Sequence, residues 1–195
     1  MSRQDFEKWE GRYAERSVSD PEEVEPFLGE IEAELPSVGR GLDLAGGVGR
    51  NAIYFARRGL QVTLVDVSPR GLDLASATAE RVGVEIDTCA LDLEVDALPE
   101  GPFDLVVCTW FLLTPEMWRA IASALAPSGR VVYVQPTTRH LERHAHPPAR
   151  FLVEFEHLAS TLGSAGLEPL RLEQGWDSNG AHTARVLARK ASRKG

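Results

Sequence analysis

The chain alternates short apolar runs with longer segments in which apolar residues recur every three or four positions. From Gly41 onward, runs such as Leu42–Ala45 and Gln61–Val65 predict buried strands. The amphipathic segments that follow them, residues 50–58 and 69–82, predict helices, and each is followed by a glycine that stops it. This alternation predicts a parallel sheet with helices on both faces.

Further strands and helices continue the same alternation. The last two strands are separated by the turn residues 177–180 and predict a β-hairpin, which adds one antiparallel strand to the sheet. The fold class is therefore α/β, with a Rossmann-like, doubly wound, mostly parallel sheet of seven strands. The additional strands are predicted at residues 84–91, 103–109, 130–135, 169–174 and 183–189, and the additional helices at residues 115–125 and 152–162.

The domain organisation predicted from the pattern is a single domain spanning residues 1–195. Residues 1–36 predict an acidic, helical N-terminal cap, which Pro36 and the following serine and glycine interrupt. Residues 37–190 form the predicted core and residues 191–195 a short tail. No internal repeat or second domain is visible in the sequence.

The net charge of the chain indicates which kind of molecule it binds. The chain has 21 basic and 29 acidic residues, a net charge of −8, and its basic residues are scattered. Nucleic-acid binding normally requires a basic face, because phosphate contacts supply most of the affinity. We therefore expect a small-molecule substrate and no nucleic-acid partner. The pattern does not indicate an oligomeric state.

Compartment and membrane association are also predicted from composition. No apolar run approaches the roughly 18 residues of a membrane span, and the first residues lack the apolar stretch of a signal peptide. We expect a cytoplasmic protein without a membrane partner. Cys89 and Cys108 lie in separate apolar runs and are expected to be reduced, buried thiols.

Three acidic residues fall at the ends of successive predicted strands, beside a glycine-rich turn. Asp43 precedes Gly46-Gly47-Val48-Gly49, Asp66 ends the second strand, and Asp92 ends the third. Ligands bind such sheets at the carboxyl ends of the strands, and glycines allow the backbone to turn tightly and touch a ligand. We expect Asp66 to bind both hydroxyls of a ribose and Asp92 to bind an adenine amino group. Together these residues predict a slot for a nucleoside without phosphate.

A dinucleotide site is the main alternative. Gly47–Ala52 fits G-x-G-x-x-G/A, and Asp66 follows at about 20 residues. However, Asp43 would repel a pyrophosphate over the turn by roughly 1–4 kcal/mol, and the sequence shows no second domain for a hydride donor or acceptor. S-adenosylmethionine is a sulfonium cation and suits an acidic slot, so we favour it over a nicotinamide- or flavin-dependent oxidoreductase.

Residues 42–49 resemble the first motif of class I S-adenosylmethionine-dependent methyltransferases, usually acid-x-Gly-x-Gly-x-Gly, with Ala45 in place of the first glycine. The resemblance extends over about residues 38–190 and implies in-line transfer of a methyl group from S-adenosylmethionine to an acceptor. Further matching segments are Leu64–Ser68, Asp92-Leu93, Phe103–Val107 and Leu125–Arg130.

The N-terminal segment Trp9-Glu10-Gly11-Arg12-Tyr13 is similar to the entry helix of tellurite-resistance-type and thiopurine-type methyltransferases, which folds over the cofactor. This resemblance implies that Arg12 meets the cofactor carboxylate and that Tyr13 covers its methionine end. Considered alone, Trp9 and Tyr13 would be taken as contacts between a helix and the core. The residues predicted to bind the cofactor are Trp9, Arg12, Tyr13, Asp43, Ala45, Gly46, Gly47, Gly49, Asn51, Asp66, Val67, Asp92, Leu93, Cys108 and Thr109.

Acceptor-binding residues are expected in the loops after the fourth and fifth strands, which contain Trp110-Phe111 and residues 137–148. His140 and His144 are the candidate catalytic bases, needed only if the acceptor must lose a proton, and His146 is a candidate substrate contact. We expect no metal, because the family that the chain resembles generally needs none. A module that binds S-adenosylmethionine without turning it over is a further alternative.

Overall fold

The structure, a computed structural model, describes residues 3–19 and 21–191. Strands and helices alternate from residue 40 to residue 164, except that the third strand is followed directly by the fourth, and two long strands come last. The helices are α1 (Arg3–Ala14), α2 (Pro26–Glu30), α3 (Arg50–Arg57), α4 (Pro69–Arg81), α5 (Pro115–Ala124) and α6 (Phe155–Ser164). The strands are β1 (Arg40–Leu44), β2 (Gln61–Asp66), β3 (Asp87–Ala90), β4 (Phe103–Thr109), β5 (Leu125–Pro136), β6 (Leu167–Trp176) and β7 (His182–Lys190).

The seven strands form one sheet in the order β3-β2-β1-β4-β5-β7-β6. Strands β1 to β5 are paired in parallel, and β7 lies antiparallel between β5 and β6. The order reverses between β1 and β4, which makes the carboxyl ends of these two strands the expected ligand-binding edge. The predicted fold class and the terminal hairpin are confirmed.

Both faces of the sheet are covered by hydrophobic cores. In β4, Val106 and Cys108 belong to one core and Leu105 and Val107 to the other, as the two-residue repeat of a strand requires. Trp118 of α5 packs edge-on against a β5 tyrosine on the first face, at 5.0 Å between ring centroids. Because both faces are buried, the central strands read as continuous apolar runs in the sequence.

The predicted N-terminal helical cap, residues 1–36, is helical only in part among the described residues. Helix α1 ends at Ala14, an irregular segment follows, and α2 has only five residues before a 3₁₀ turn at Glu32–Glu34. Prolines at positions 21 and 26 interrupt any longer helix, because proline lacks an N–H group and restricts the residue before it. The acidic composition of this segment therefore did not indicate its structure.

Several other boundaries differ from the prediction. Strand β3 is four residues long and ends at Ala90, and α6 begins three residues later than expected. Strand β5 begins at Leu125, before the predicted turn: the pairing jumps from Leu125 to Arg130 while β4 advances from Phe103 to Leu105. The turn residues 127–129 thus form an irregularity within the strand. Part of the predicted tail, residues 192–195, lies outside the described residues.

Helix lengths bear on membrane association. The longest helix that the structure describes is α4, with 13 residues. Within residues 3–19 and 21–191, no helix has the length and apolar character needed to cross a membrane.

Candidate active site

The glycine-rich turn after β1 brings backbone close to neighbouring side chains at the predicted ligand edge. Gly47 and Gly49 have positive φ angles of 58° and 78°, and Ala45 shares this left-handed conformation with φ 53°. A Cβ atom at Gly49 would lie 2.9 Å from Ala75 Cβ, closer than packed carbons allow. A side chain at Gly49 is therefore excluded sterically, and Ala45 occupies a conformation that glycine adopts at lower cost.

Asp43 is buried beneath this turn and is only partly satisfied. It is 1% exposed, and its Oδ2 accepts the Ala52 N–H at 3.0 Å. Its Oδ1 atom is buried without a hydrogen-bond partner among the described residues. Burial raises the pKa of Asp43 to about 7. A buried carboxylate oxygen without a donor is costly, so this position is suited to a cationic ligand.

Asp66 lies at the end of β2 directly beside the turn. Its Oδ2 accepts the Gly47 N–H at 2.8 Å, and its Oδ1 accepts the Ser68 N–H at 3.0 Å. Burial raises the pKa of Asp66, while these backbone hydrogen bonds oppose the rise. The structure therefore places Asp66 next to Gly47 as expected, but both carboxylate oxygens serve the protein backbone. The neighbouring Val67 is half-buried.

Helix α1 covers the turn through Tyr13. A Cβ at Gly47 would lie 2.5 Å from Tyr13 Oη, and one at Gly71 would lie 3.0 Å from the Tyr13 ring. Tyr13 is 7% exposed, and burial together with the Asp66 carboxylate raises its pKa to about 12. Trp9 stacks on Tyr13 at 5.9 Å between centroids, and the exposed Arg12 lies over the Trp9 ring. The structure brings Tyr13 to the turn and leaves Arg12 on the outer surface of the helix.

Glu10 also anchors α1, and sequence reasoning missed it. Its Oε1 accepts the Ser68 hydroxyl at 2.5 Å and the Arg70 N–H at 3.2 Å, at the start of α4. The residue stands within the segment quoted for the resemblance, but a single glutamate on a helix gave no signal of its own. Tyr13 and Glu10 together attach α1 to the edge of the sheet where the glycine turn lies.

A cavity of about 550 Å³ opens beside the end of β1. It is lined by Leu44, by residues 93–98 after β3, and by Leu113 and Met117 before and within α5. Leu93 therefore contributes to the cavity. Asp92 caps its own loop, since its Oδ1 accepts the Glu94 N–H at 3.0 Å.

The end of β4 joins the turn through amide and hydroxyl groups. Asn51, 1% exposed at the start of α3, donates from Nδ2 to Thr109 Oγ1 at 3.2 Å. Thr109 is nearly buried, while the Cys108 thiol lies inside the core, where burial raises its pKa well above the ordinary value. The expectation that Cys108 binds the cofactor can therefore hold only for its backbone, since the side chain is enclosed by core residues.

The loop predicted to bind the acceptor takes part in an ion-pair cluster that sequence reasoning did not find. Glu25, 4% exposed, accepts from Arg50 at 2.9 Å and from the Trp110 indole N–H at 3.0 Å, both at Oε2. Its backbone N–H donates to Asn51 Oδ1 at 3.2 Å. No motif marked Glu25, because it becomes important only when the irregular segment before α2 folds against the sheet edge. Phe111 is half-buried and packs against the core.

The histidines form a structural cluster rather than an open catalytic pair. His140 Nδ1 accepts the His182 N–H at 3.2 Å, and its Nε2 lies 3.0 Å from the His146 carbonyl oxygen, to which it donates as N–H. Burial lowers the pKa of His140. This geometry disfavours His140 as a base, because both ring nitrogens are bonded, and its catalytic role stays a prediction. His144 stacks on it at 4.3 Å and bonds through Nε2 to the Gly180 carbonyl, with its Nδ1 outside any hydrogen bond in the described ranges.

His146 contributes its carbonyl oxygen to this cluster and is exposed. The contact predicted between its side chain and a substrate therefore stays a prediction. Within residues 3–19 and 21–191, no group of three or more histidine, cysteine, aspartate or glutamate residues is arranged to hold a metal ion.

The residues at the turn fit a cationic adenosyl cofactor. Asp43 provides a buried oxygen that lacks a donor, and the absence of a Cβ at Gly46 and Gly47 lets the turn pack directly against Asp43 and Tyr13. The cavity beside Leu93 has leucine and methionine side chains that suit a purine ring, and it is also lined by Glu94, Asp96 and Glu116. An anionic pyrophosphate would instead be placed over the buried Asp43 carboxyl group.

Comparisons with known proteins agree with this geometry. The family described as "Methyltransferase domain" matches residues 42–129. The tRNA 5-carboxymethoxyuridine methyltransferase of Escherichia coli (strain K12) is 35% identical over 111 residues, which cover 52% of this chain and 42% of the relative. The Ubiquinone biosynthesis O-methyltransferase of Ralstonia nicotianae is 30% identical over 173 residues, which cover 77% of this chain and 72% of the relative. This chain thus spans less than half the length of the tRNA-modifying relative.

TehB from Haemophilus influenzae is a similar solved structure, with a TM-score of 0.72 and 21% identity over 93% of this chain and 67% of that chain. At this identity the likeness shows the fold alone. The chain belongs to the class I S-adenosylmethionine-dependent methyltransferases. The predicted family and fold are confirmed, and S-adenosylmethionine is the cofactor that this family uses. This assignment favours the methyltransferase interpretation over a dinucleotide-dependent oxidoreductase.

Proposed function

We propose that this protein transfers the methyl group of S-adenosylmethionine to a small-molecule acceptor. The main observation behind the proposal is the Oδ1 atom of Asp43, which is buried under the glycine turn and accepts no hydrogen bond from the described residues. The chain also belongs to the methyltransferase family. In this proposal the ionised form of Asp43, which becomes populated as pH rises through about 7, attracts the cationic methionine end of the cofactor. The adenosine end lies toward Asp66 and the cavity at Asp92-Leu93, and Tyr13 covers the turn.

Bound S-adenosylmethionine supplies an electrophilic methyl group on a sulfonium centre. The residues of this chain contribute mainly by orienting cofactor and acceptor, an effect worth about 7–11 kcal/mol in favourable cases. Asp66 must exchange its Gly47 or Ser68 partner for ribose hydroxyls, or share its lone pairs between them. If the acceptor has a proton to lose, His144 Nδ1 is the better candidate base, because His140 has no free ring nitrogen.

A small acceptor agrees with the charge of the chain better than a nucleic acid does. The excess of eight negative charges opposes binding to a phosphate backbone. The tRNA-modifying relative nevertheless makes tRNA the comparison to include. Radiolabelled S-adenosylmethionine should label members of a small-acceptor panel and leave bulk tRNA at background. Labelling of tRNA alone would contradict the small-molecule proposal, and no labelled product in any arm would favour a binding module without turnover.

Cofactor binding is tested separately by isothermal titration with S-adenosylmethionine and S-adenosylhomocysteine. Asp66→Ala should abolish binding, whereas Asp104→Asn is the matched control. Asp104 also accepts a backbone N–H, from Arg40 at 2.8 Å, but it stands at the opposite end of β4. Binding of NADH without a response to either adenosyl compound would contradict the proposal. Equal loss of binding in both variants would show only a general defect in folding.

A further inference from the structure

The conformation of Trp110, at the end of β4, is unusual. Its φ angle is 62°, in the left-handed region that bulky residues rarely adopt, and its backbone N–H donates to the Val134 carbonyl of β5 at 2.8 Å. A tryptophan in this conformation is strained by about 1–3 kcal/mol and persists only where neighbouring contacts hold it. One such contact is the hydrogen bond from its indole N–H to Glu25.

The Glu25 contact determines which part of Trp110 a ligand meets. Nε1 is the only hydrogen-bond donor of the indole, and it lies 3.0 Å from Glu25 Oε2. The side chain is nevertheless 45% exposed, among the largest apolar exposures of the described residues. Trp110 therefore presents aromatic surface at the site and no free polar group.

The charges around Trp110 favour a planar, uncharged ring over a cation. Glu25 is 5% exposed at its side chain and already pairs with Arg50 at 2.9 Å. The Glu25 charge is thus neutralised by Arg50, so no unpaired negative charge lies beside the indole to strengthen the binding of a cation. Aromatic rings stack on an exposed indole through dispersion and quadrupole interactions, without a charge requirement.

We propose that the methyl acceptor carries a planar aromatic ring that stacks on Trp110, and that Glu25 is the positioning residue that holds the indole for it. This inference rests on the proposed function, because it describes the acceptor side of the same site. Glu25 comes from the irregular segment between α1 and α2, so the acceptor surface is complete only when that segment is folded against the start of α3 and the end of β4.

The stacking surface is tested on protein saturated with S-adenosylhomocysteine, by saturation-transfer difference NMR. The probes are 2-naphthol and its saturated analogue decahydro-2-naphthol, with benzyl alcohol and cyclohexylmethanol, both uncharged, as a second pair. Each aromatic probe should bind at least about fivefold more tightly than its saturated partner, and Trp110→Ala should remove this preference. Equal binding of both members in both pairs, or a preference that survives Trp110→Ala, would overturn the stacking proposal.

The role of Glu25 needs a readout that simple destabilisation does not reproduce. The chain has four tryptophans, and Trp110→Phe identifies the indole N–H signal of Trp110 in a ¹⁵N spectrum. Glu25→Ala should speed hydrogen exchange of that signal and remove the aromatic preference. Glu25→Gln keeps an oxygen acceptor and should restore both. If the two variants behave alike, or if neither changes the exchange rate, Glu25 does not position Trp110.

Cofactor titration separates this inference from the function on which it rests. Both Glu25 variants should bind S-adenosylhomocysteine within about threefold of the wild-type affinity, since a change of less than 1 kcal/mol is expected where no cofactor contact is removed. Loss of the aromatic preference with intact cofactor binding would support the role of Glu25. Failure of the wild-type protein to bind S-adenosylhomocysteine would instead refute the proposed function.

Discussion

Replacement of Asp43 by asparagine tests the electrostatic basis of the site. The folded protein keeps a proton on Asp43 up to a pH of about 7, whereas the ordinary value is 3.8. A pKa that is raised on folding gives stability that is complete below pH 3.8 and is lost as pH rises through 7. At 1.36 kcal/mol per pH unit, ionised Asp43 costs about 4 kcal/mol at pH 8.5.

Asparagine keeps the acceptor for the Ala52 N–H but cannot ionise. Its amide nitrogen replaces Oδ1 and is buried without a partner, at a cost of about 1–3 kcal/mol. The apo form of Asp43→Asn should therefore be about 1–3 kcal/mol more stable than the wild type at pH 8.5. The difference should shrink by about 1.4 kcal/mol at pH 6, where most of the folded wild type is protonated.

Urea denaturation of both proteins at several pH values between 6 and 8.5 measures this difference, with Asp104→Asn as the control. S-adenosylmethionine at 100 Kd should narrow the difference by up to about 2.7 kcal/mol, because the wild type gains that amount and the variant gains less. If the free energy of unfolding changes with pH in the same way in the wild type and in Asp43→Asn, the folded protein does not hold a proton on Asp43 with a raised pKa. Unchanged affinity in the variant would refute its role in attracting the cofactor.

Substitutions at three other positions test separate parts of the site. Ala45→Gly should change the free energy of unfolding by less than about 1 kcal/mol, whereas Ala45→Val should lower it by 2 kcal/mol or more, because a β-branched residue is strained at positive φ; thermal unfolding measures both. Tyr13→Ala should increase hydrogen exchange in α1 and raise the dissociation rate of S-adenosylhomocysteine at least about tenfold, as the ring over Gly47 is lost; unchanged exchange would show that α1 is held elsewhere. Burial lowers the pKa of His140 below its ordinary 6.5, so its contribution to stability is complete above pH 6.5 and lost as pH falls. His140→Gln should therefore reduce the loss of stability that occurs as pH falls below 6.5. An unchanged pH profile would show that another group titrates in this range.

Local pattern was sufficient for the core of the fold. The apolar runs and their glycine stops fixed the central strands and helices to within a few residues, because both faces of a parallel sheet must be buried. It was only partly right for residues 1–36, where acidic residues and aromatic spacing suggested one helical cap. Prolines and distant contacts, rather than helix propensity, decided that segment.

The residues of the site also divide into those that the sequence identified and those that it did not. Asp43, Gly47 and Asp66 were recognised because they are close in sequence to strand ends, and parallel strands bring their ends to one edge. Glu25 was missed because its partners, Arg50 and Trp110, are 25 and 85 residues away. His140 was assigned a catalytic role because sequence shows an ionisable ring but not whether its nitrogens are already bonded.

The sequence by itself thus determined the α/β architecture, the methyltransferase family and the edge of the sheet at which the cofactor is expected, because these depend on periodicity and on short motifs. Only the tertiary structure decided that Asp43 has a donorless buried oxygen, that α1 lies over the glycine turn, and that Glu25 holds Trp110. Burial and hydrogen-bond satisfaction are properties of groups brought together from distant parts of the chain, so no local pattern encodes them.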